Sequence, residues 1–451
     1  MHISSSLPPP ATPEHEIVNR RKQKRLIEIF SPLRNHQSIP STAYKKRILS
    51  TIKESPAPTP PGSHISFDDA ALDYGLVNTS KIFNDHVHAN IKLEGLCLRI
   101  IDTPEFQRLH GLKQNGTTDF VFRGATHTRF EHSLGVAHLA ERFVKTLQRN
   151  QSNLGITDND VLCVKIAGLC HDLGHGPFSH VYDGVFLKRM YPNGIDVSGK
   201  KWRHEDGSIR MLRHLLISND IDITEYGLNL PAVGATPDID ITEYGLNLPA
   251  VGATPTASGK RGKQHFNDMT FVEEIINGTP EAQRVGRDRD KFYLYDVVNN
   301  LRSGLDVDKL DYFQRDMKMS NVFPMPVVTF DRFLELGLVL PATPIGSEPG
   351  LRGTEVIEEL PKMICYPEKM ASEALNLFAA RFHMHQKVYQ HKAVKQVEYM
   401  ITEALALANP YVDIKGTCTA HHPKGLYKIS ECIYDMTAMA NLKDSIVDVI
   451  M

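Results

Sequence analysis

Ten consecutive residues, His171-Asp172-Leu173-Gly174-His175-Gly176-Pro177-Phe178-Ser179-His180, hold three histidines and an aspartate. They follow the apolar run Val161 to Cys170. An imidazole and a carboxylate at the end of a buried helix that then breaks at glycines suit one wall of a metal site. Two more pieces complete a ligand set. His132, in Arg129-Phe130-Glu131-His132-Ser133-Leu134-Gly135, stands at helical spacing with Val136, Leu139 and Phe143, near a buried face. Alone, a histidine there is more often a packed core residue than a ligand. Asp308 lies in Gly304-Leu305-Asp306-Val307-Asp308-Lys309-Leu310-Asp311-Tyr312, where aspartates also suit caps and surface charge. Jointly, two imidazoles and two carboxylates suit Fe, Mn, Zn or Mg, with positions left for water and substrate. Water on such an ion becomes nucleophilic near neutral pH. His175, His180 and His204 can act as acid, base or phosphate donors. Arg129, Lys309 and Arg315 offer positive charge to phosphate oxygens.

Helices must position these groups. Phe130, Leu134, Ala137, Phe143, Val144 and Leu147 recur at helical spacing and predict a helix over 128–149. Val161–His171 reads as a more buried helix. A helical pattern over 292–316 is interrupted near Gly304. Residues 371–408 read as one long amphipathic helix, with Leu375, Phe378, Phe382, Val394, Val397, Ile401 and Leu405 as its apolar stripe. Strand patterns are short: Val327 to Phe330 and the Leu336 to Leu340 region. The predicted fold class is mainly α, a helical bundle with minor β elements and a partial helical C-terminal lobe.

Three regions divide the chain. Residues 1–77 are rich in proline, serine and basic clusters (Arg20 to Arg25, Lys45 to Arg47) and predict a disordered tail. The clusters suit a nuclear-import signal, a weak nucleic-acid contact, or simply solvated charge. Residues 78–345 form the predicted catalytic domain, and 346–451 a helical C-terminal part. Asp220–Pro237 reads DIDITEYGLNLPAVGATP and is repeated without change in Asp238–Pro255. Two units are too few for a solenoid, so 220–264 is expected to be a surface insertion.

Composition narrows the class further. The 451 residues carry a net charge of -2, so no global field draws the chain to nucleic acid or membrane. No apolar run has the length of a membrane span. The six cysteines lack C-x-x-C spacing and read as reduced residues of an intracellular protein, nuclear or cytoplasmic.

The order His132, His171-Asp172, Asp308 resembles that of the HD-domain phosphohydrolases. The strings around these residues, with Asp102-Thr103-Pro104, Phe106-Gln107-Arg108-Leu109 and Tyr389-Gln390-His391-Lys392, resemble one branch of them. That branch is the eukaryotic deoxynucleoside triphosphate triphosphohydrolases, which pair a sterile-alpha-motif domain with an HD domain. The resemblance covers roughly residues 80–440. It implies that His132, His171, Asp172 and Asp308 bind a divalent metal and that water attacks the α-phosphorus of a dNTP. The products are a deoxynucleoside and inorganic triphosphate, and the role is control of dNTP pools. His180 with Asp183, and His204, match catalytic histidines, either of which can protonate the departing 5′ oxygen. His175 and Arg129 match phosphate contacts, and Lys309 and Arg381 triphosphate contacts. Gln114 and Asp316 match groups that bind the 3′-hydroxyl. Tyr312 and Tyr389 match rings that close the sugar pocket and reject a ribose hydroxyl; packing on a helix is the plainer reading of Tyr389. Lys81, Asn84, Asp102, Gln107 and Lys392 match contacts to a GTP or dNTP activator.

The chain also departs from the family. Asn115 replaces a leucine after the pocket glutamine. His110 and Pro367 replace effector arginines, and His86 and Ala89 replace a Pro and a Gly. No sterile-alpha-motif domain is expected in the tail, and the C-terminal lobe that helps form the family's tetramer is expected to be cut short at Met451. Such a chain is expected to assemble poorly as a homo-oligomer and to show low or unregulated activity. Another HD phosphohydrolase activity, or a catalytically weak nucleotide- or single-strand-binding role, are the competing readings.

Overall fold

The computed structural model describes residues 79–195, 199–229, 267–322, 330–342 and 360–450. The expected tail 1–77, Val327 to Thr329 and most of the 220–264 insertion lie outside the described residues. Contacts separate Met1–Asp69, with Met451, from Ala70–Ile450; all described residues belong to the second unit.

The described chain begins with an antiparallel pair, β1 (Ser80–Asp85) and β2 (Ala89–Glu94). Sequence reading missed it, although Ile91 and Leu93, both fully buried, alternate with the exposed Lys92 and Glu94. Asp85 closes the turn by accepting from the amides of Val87 and His88 at 2.8 Å each. After α1 (Leu96–Ile101) come the two helices at the centre of the domain, α2 (Arg129–Asn150) and α3 (Asp158–Cys170), which pack against each other.

Both central helices start at capping boxes. Thr128 accepts from the Phe130 amide, and Glu131 reaches back to the Thr128 amide at 2.9 Å. Thr157 and Asp160 repeat the device for α3. Helix α2 buries one face, as its spacing predicts. Helix α3 is buried almost all round, as expected for a continuous apolar run. Thr128→Ala should lower the unfolding free energy by about 1 kcal/mol, read by urea denaturation. An unchanged midpoint would show that the cap does not set the start of α2.

Helices α4 (His204–Ser218), α5 (Asp268–Asn277), α6 (Val307–Ser320) and α7 (Phe330–Leu336) surround this pair. The pattern over 292–316 resolves into a 3-10 segment, Arg289–Val297, a turn through Gly304 at φ 69°, and α6 capped by Asp306. A second pair, β3 (Leu338–Pro341) with β4 (Lys362–Cys365), includes the expected strand near 340. The fold is mainly α, as predicted. Among the described residues no helix is long and apolar enough to cross a membrane.

Two expectations need correction. Residues 371–408 form two helices, α8 (Ala371–Met384) and α9 (Lys392–Ala408), separated by a π-turn over His385–Tyr389. His391 is extended and caps α9 through its ring nitrogen. The stripe is also misplaced on α8. Leu375, Phe378 and Phe382 are exposed, whereas Leu377, Ala380 and Met384 are buried. In the first repeat copy, Ile221, Ile223 and Leu228 are buried and Asn229 bonds Asp268, so this part of the repeat packs into the fold.

The C-terminal segment braces the His-Asp loop. Arg108, fully buried, donates to the carbonyls of Leu173 and Leu442, each at 3.1 Å, and to that of His175. Asp444 accepts from the amides of Lys113 (2.9 Å) and Phe178 (2.6 Å). Phe178 and Ser179 have φ of 58° and 54°, a left-handed pair of non-glycine residues that these contacts help hold.

Candidate metal centre

Three helices bring the four expected ligands together. His132 lies in the first turn of α2, His171 ends α3 with Asp172 following it, and Asp308 lies in the first turn of α6. His132 Nε2 is 3.0 Å from Asp308 Oδ1 and 3.5 Å from Asp172 Oδ2. His171 Nε2 is 3.5 Å from both Asp172 Oδ1 and Asp308 Oδ1. His132, His171 and Asp172 each offer a ligand atom within 4.8 Å of the others.

The tautomers suit a cation. His171 Nδ1 faces the Gly168 carbonyl at 2.8 Å, so it carries the proton and leaves the lone pair on Nε2. That Nε2 is buried and has no hydrogen-bond partner among the described residues. His132 Nδ1 faces Asp311 Oδ2 at 2.7 Å, which likewise turns Nε2 toward the site. An orphaned buried nitrogen between carboxylates fits a divalent ion.

Electrostatics agree. Burial alone would lower the His132 pKa, but Asp308 and Asp311 together push it up to about 10. Burial opposes ionisation of Asp172 and Asp308, yet Arg129, His171 and His175 hold Asp172, and His132 and His171 hold Asp308, well below the usual carboxylate range. In the metal-free protein His132 is therefore protonated at neutral pH. A cation taking Nε2 must expel that proton, so metal affinity should rise as pH rises toward 10. Calorimetric titration with Mn(II) in buffers of different protonation enthalpy should show proton release. Heats independent of the buffer would refute it.

Beneath His132 lies a largely buried ionic cluster built on Asp311. Asp311 also binds Arg315, at 2.9 Å through both Nε and Nη2, and faces His88 Nε2 at 2.6 Å. Arg315 Nη1 reaches Asp85 at 2.8 Å. Its expected part in binding phosphate is thereby corrected: the guanidinium is 2 % exposed and spent on two carboxylates. A Cβ on Gly135 would lie 1.9 Å from Asp311 Oδ1, so only glycine leaves room for this cluster.

A second cluster adjoins the first. His204 Nδ1 is 3.2 Å and His180 Nδ1 3.5 Å from opposite oxygens of Asp183. His175 stacks on His204 with centroids 3.9 Å apart, and its Nε2 is 3.3 Å from Asp172 Oδ1. His180 is exposed, His175 buried. Burial and the nearby Arg129 hold His175 well below its ordinary pKa, neutral at pH 7. Burial works against ionisation of Asp183, but the imidazoles of His180 and His204 beside it keep it deprotonated.

The expected substrate residues form two groups. Arg129 is buried, paired with Asp172 and with Ser179 Oγ at 2.9 Å, while Lys309 holds Asp306 at 2.9 Å. The Tyr389 hydroxyl donates to Asp316 Oδ2 at 2.6 Å, and His127, unassigned by the sequence reading, faces Asp316 Oδ1 at 2.7 Å. Gln114 Oε1 is buried with no partner among the described residues. Tyr312 lies beside His132, ring centroids 6.4 Å apart, with the Arg381 guanidinium near its hydroxyl.

Of the expected effector residues, Lys81 and Asp102 pair at 2.7 Å and line a cleft with Arg99 and Asn219. Asn84, Gln107 and Lys392 do not line it. Gln107 bonds the Ile101 carbonyl at 2.9 Å. His110 stacks on Phe130 with centroids 3.6 Å apart.

The HD domain family matches residues 129–227, a span that holds His132, His171, Asp172 and the whole second cluster. Residues 129–227 thus belong to the HD-domain family. Relatives extend the match past Asp308. Deoxynucleoside triphosphate triphosphohydrolase SAMHD1 of Mus musculus is 38% identical over 385 residues, 83% of this chain and 50% of that protein. The Bos taurus protein of the same name is 34% identical over 445 residues, 96% of this chain and 60% of that protein. The homolog in Dictyostelium discoideum is 32% identical over 380 residues, 84% of this chain and 56% of its own length. The chain spans about half the length of the curated relatives it matches.

Proposed function

We propose that the chain hydrolyses deoxynucleoside triphosphates to deoxynucleoside and inorganic triphosphate, and so lowers dNTP pools. The observation that carries this is the orphaned His171 Nε2 among His132, Asp172 and Asp308, with an acid-base cluster adjoining it. The similarity to proteins named triphosphohydrolases supplies the substrate class. His132, His171, Asp172 and Asp308 would hold a divalent cation, Fe, Mn, Zn or Mg. When bound, it supplies Lewis acidity that activates water for attack on the α-phosphorus.

The chain's own residues do the rest. Arg129 and His175 hold the α-phosphate region, and Lys309 and Arg381 bind the outer phosphates. As water adds, the bond from phosphorus to the 5′ oxygen breaks. His180 or His204, each hydrogen-bonded to Asp183 when charged, donates the proton that the leaving oxygen takes. The buried Gln114 Oε1 accepts from the 3′-hydroxyl, with Asp316 held ready by Tyr389 and His127. Tyr312 and Tyr389 close the sugar pocket against a ribose hydroxyl.

In this reading the protein acts in the nucleus or cytoplasm. Activation by GTP or a dNTP uses Lys81 and Asp102, and a homo-oligomer or a weak nucleic-acid contact adds regulation. Incubation with each dNTP and Mn(II) or Mg(II), with and without GTP, should release inorganic triphosphate. Release of phosphate or pyrophosphate would refute the reaction. No turnover, with nucleotide binding intact in both wild type and His132→Ala, would favour a nucleotide-binding role.

A further inference from the structure

His175, His180, Asp183 and His204 each present a ligand atom within 4.8 Å of all the others. We propose that these four side chains form a second cation site, suited to Zn(II), and that zinc held there switches the hydrolase off. The site itself stands apart from the proposed reaction, which uses these groups for proton transfer and phosphate contact. Only the inhibitory effect rests on that reading.

Three imidazoles and one carboxylate are a borderline-soft donor set that favours Zn(II) over Mg(II) or Mn(II). The first centre, with two imidazoles and two carboxylates, is harder, so the two sites differ in preference. A tetrahedral zinc with Zn–N near 2.0–2.1 Å sets its ligand atoms about 3.3 Å apart. Each of two imidazoles already stands near that spacing from one Asp183 oxygen: His204 Nδ1 from Oδ2 at 3.2 Å, and His180 Nδ1 from Oδ1 at 3.5 Å. The remaining pairs need to close by no more than about 1.5 Å. His180, with its side chain 71 % exposed, is the arm free to close. The other three are tied more firmly, His175 to Asp172 and His204 to Asp183, and reach the spacing by small side-chain rotations.

A second observation points the same way. His175 Nδ1 and Asp183 Oδ1 are both buried without a hydrogen-bond partner among the described residues. Two orphaned acceptors in one cluster call for a missing electrophile, and three imidazoles leave lone pairs for it. Zinc there would occupy the nitrogens of His180 and His204 that otherwise carry the proton to the leaving oxygen. It would also take up the Asp183 carboxylate that positions those imidazoles. Either change removes the proton donor while leaving His132, His171 and Asp308 untouched.

The test uses the full chain loaded with Mn(II). Zinc is titrated against a chromophoric chelator, manganese content is followed in parallel, and Co(II) is substituted to read the intense absorption of a tetrahedral site. Wild type should bind one zinc without releasing manganese, and triphosphate release should fall in step with zinc occupancy. His180→Ala, a change at an exposed side chain, should weaken zinc at least about tenfold, the lower end of what losing even an outer-shell partner costs. Its manganese content should stay unchanged. Asp183→Asn should weaken zinc as well. His132→Ala should lose manganese yet keep this zinc. Zinc that binds only by displacing manganese, or equally well in His180→Ala and Asp183→Asn, would overturn the site. Zinc bound through these residues in a protein that releases no triphosphate would uphold the site and refute the reaction.

Discussion

Asp311→Ala should cost about 3–5 kcal/mol of folding stability and most of the metal affinity. The carboxylate is fully buried and holds three partners at once: His132 Nδ1, Arg315 and His88. Removing it leaves the Arg315 guanidinium inside the protein with Asp85 alone, and an uncompensated buried charge is what makes breaking such a pair expensive. The metal effect has a separate origin. Without Asp311, His132 Nδ1 has nothing to fix its proton, and Nε2 is no longer turned toward Asp172 and Asp308. Losing an outer partner of this kind typically costs about 10–100-fold in metal affinity. Asp311→Asn separates the two effects, because the amide keeps the volume and one acceptor but loses the charge. Urea denaturation of the metal-free protein and Mn(II) titration of the folded protein are the two readouts. Wild-type manganese affinity in Asp311→Asn and Asp311→Ala alike would show that His132 needs no such support.

Gly174→Ala should separate metal binding from turnover. A Cβ at Gly174 would lie 2.2 Å from the His204 carbonyl oxygen, 2.3 Å from the Ser208 nitrogen and 2.5 Å from the Gly207 carbonyl carbon. These are backbone atoms of the first turn of α4, so no side chain can step aside. The turn must retreat, taking His204 from Asp183 and from its stack on His175. General acid-base catalysis is worth about 10²–10⁴-fold, and a fall in turnover of that order is expected. Overpacking should also cost about 1–3 kcal/mol of stability. Manganese content should hold, because His132, His171 and Asp308 do not touch the new methyl group. Turnover in Gly174→Ala close to wild type would remove His204 from the reaction. Loss of manganese together with turnover would show that the two clusters are not separable.

The four candidate ligands that the fold brings together were legible in the sequence because each lies in a short string with an unusual residue order. Helices α2 and α3 were legible for the same local reason, a cap followed by a clear apolar pattern. The supports were not. Asp311 stood in plain view but was read with the caps, since nothing local says that it lies under His132. One signal was available: Asp311 and Arg315 are four residues apart on a helix, the spacing of an ion pair. His88 and His127 approach Asp311 and Asp316 from more than a hundred residues away, a closeness that periodicity does not carry. The break between α8 and α9 was hidden because a π-turn shifts the helical phase without a proline or glycine to announce it. The exposed Leu375, Phe378 and Phe382 were assigned to the core because apolar spacing locates a stripe but not the surface it faces.

Arg108 binds carbonyls at Leu173, His175 and Leu442, and Asp444 binds amides at Lys113 and Phe178. Three of these five, Arg108 to Leu442 and Asp444 to Lys113 and Phe178, join positions more than 260 residues apart in the chain. Loop closure on that scale is slow, and its entropy must be met before the contact rewards it. The order of events during synthesis follows. The helices bearing His132 and His171 emerge early, but the left-handed turn at Phe178 and Ser179 lacks its clamp until residues 442–444 arrive. On the proposed function, metal loading is then a late step of maturation rather than a nucleus for it, and a ribosome-bound intermediate carries the candidate ligands before it carries the geometry.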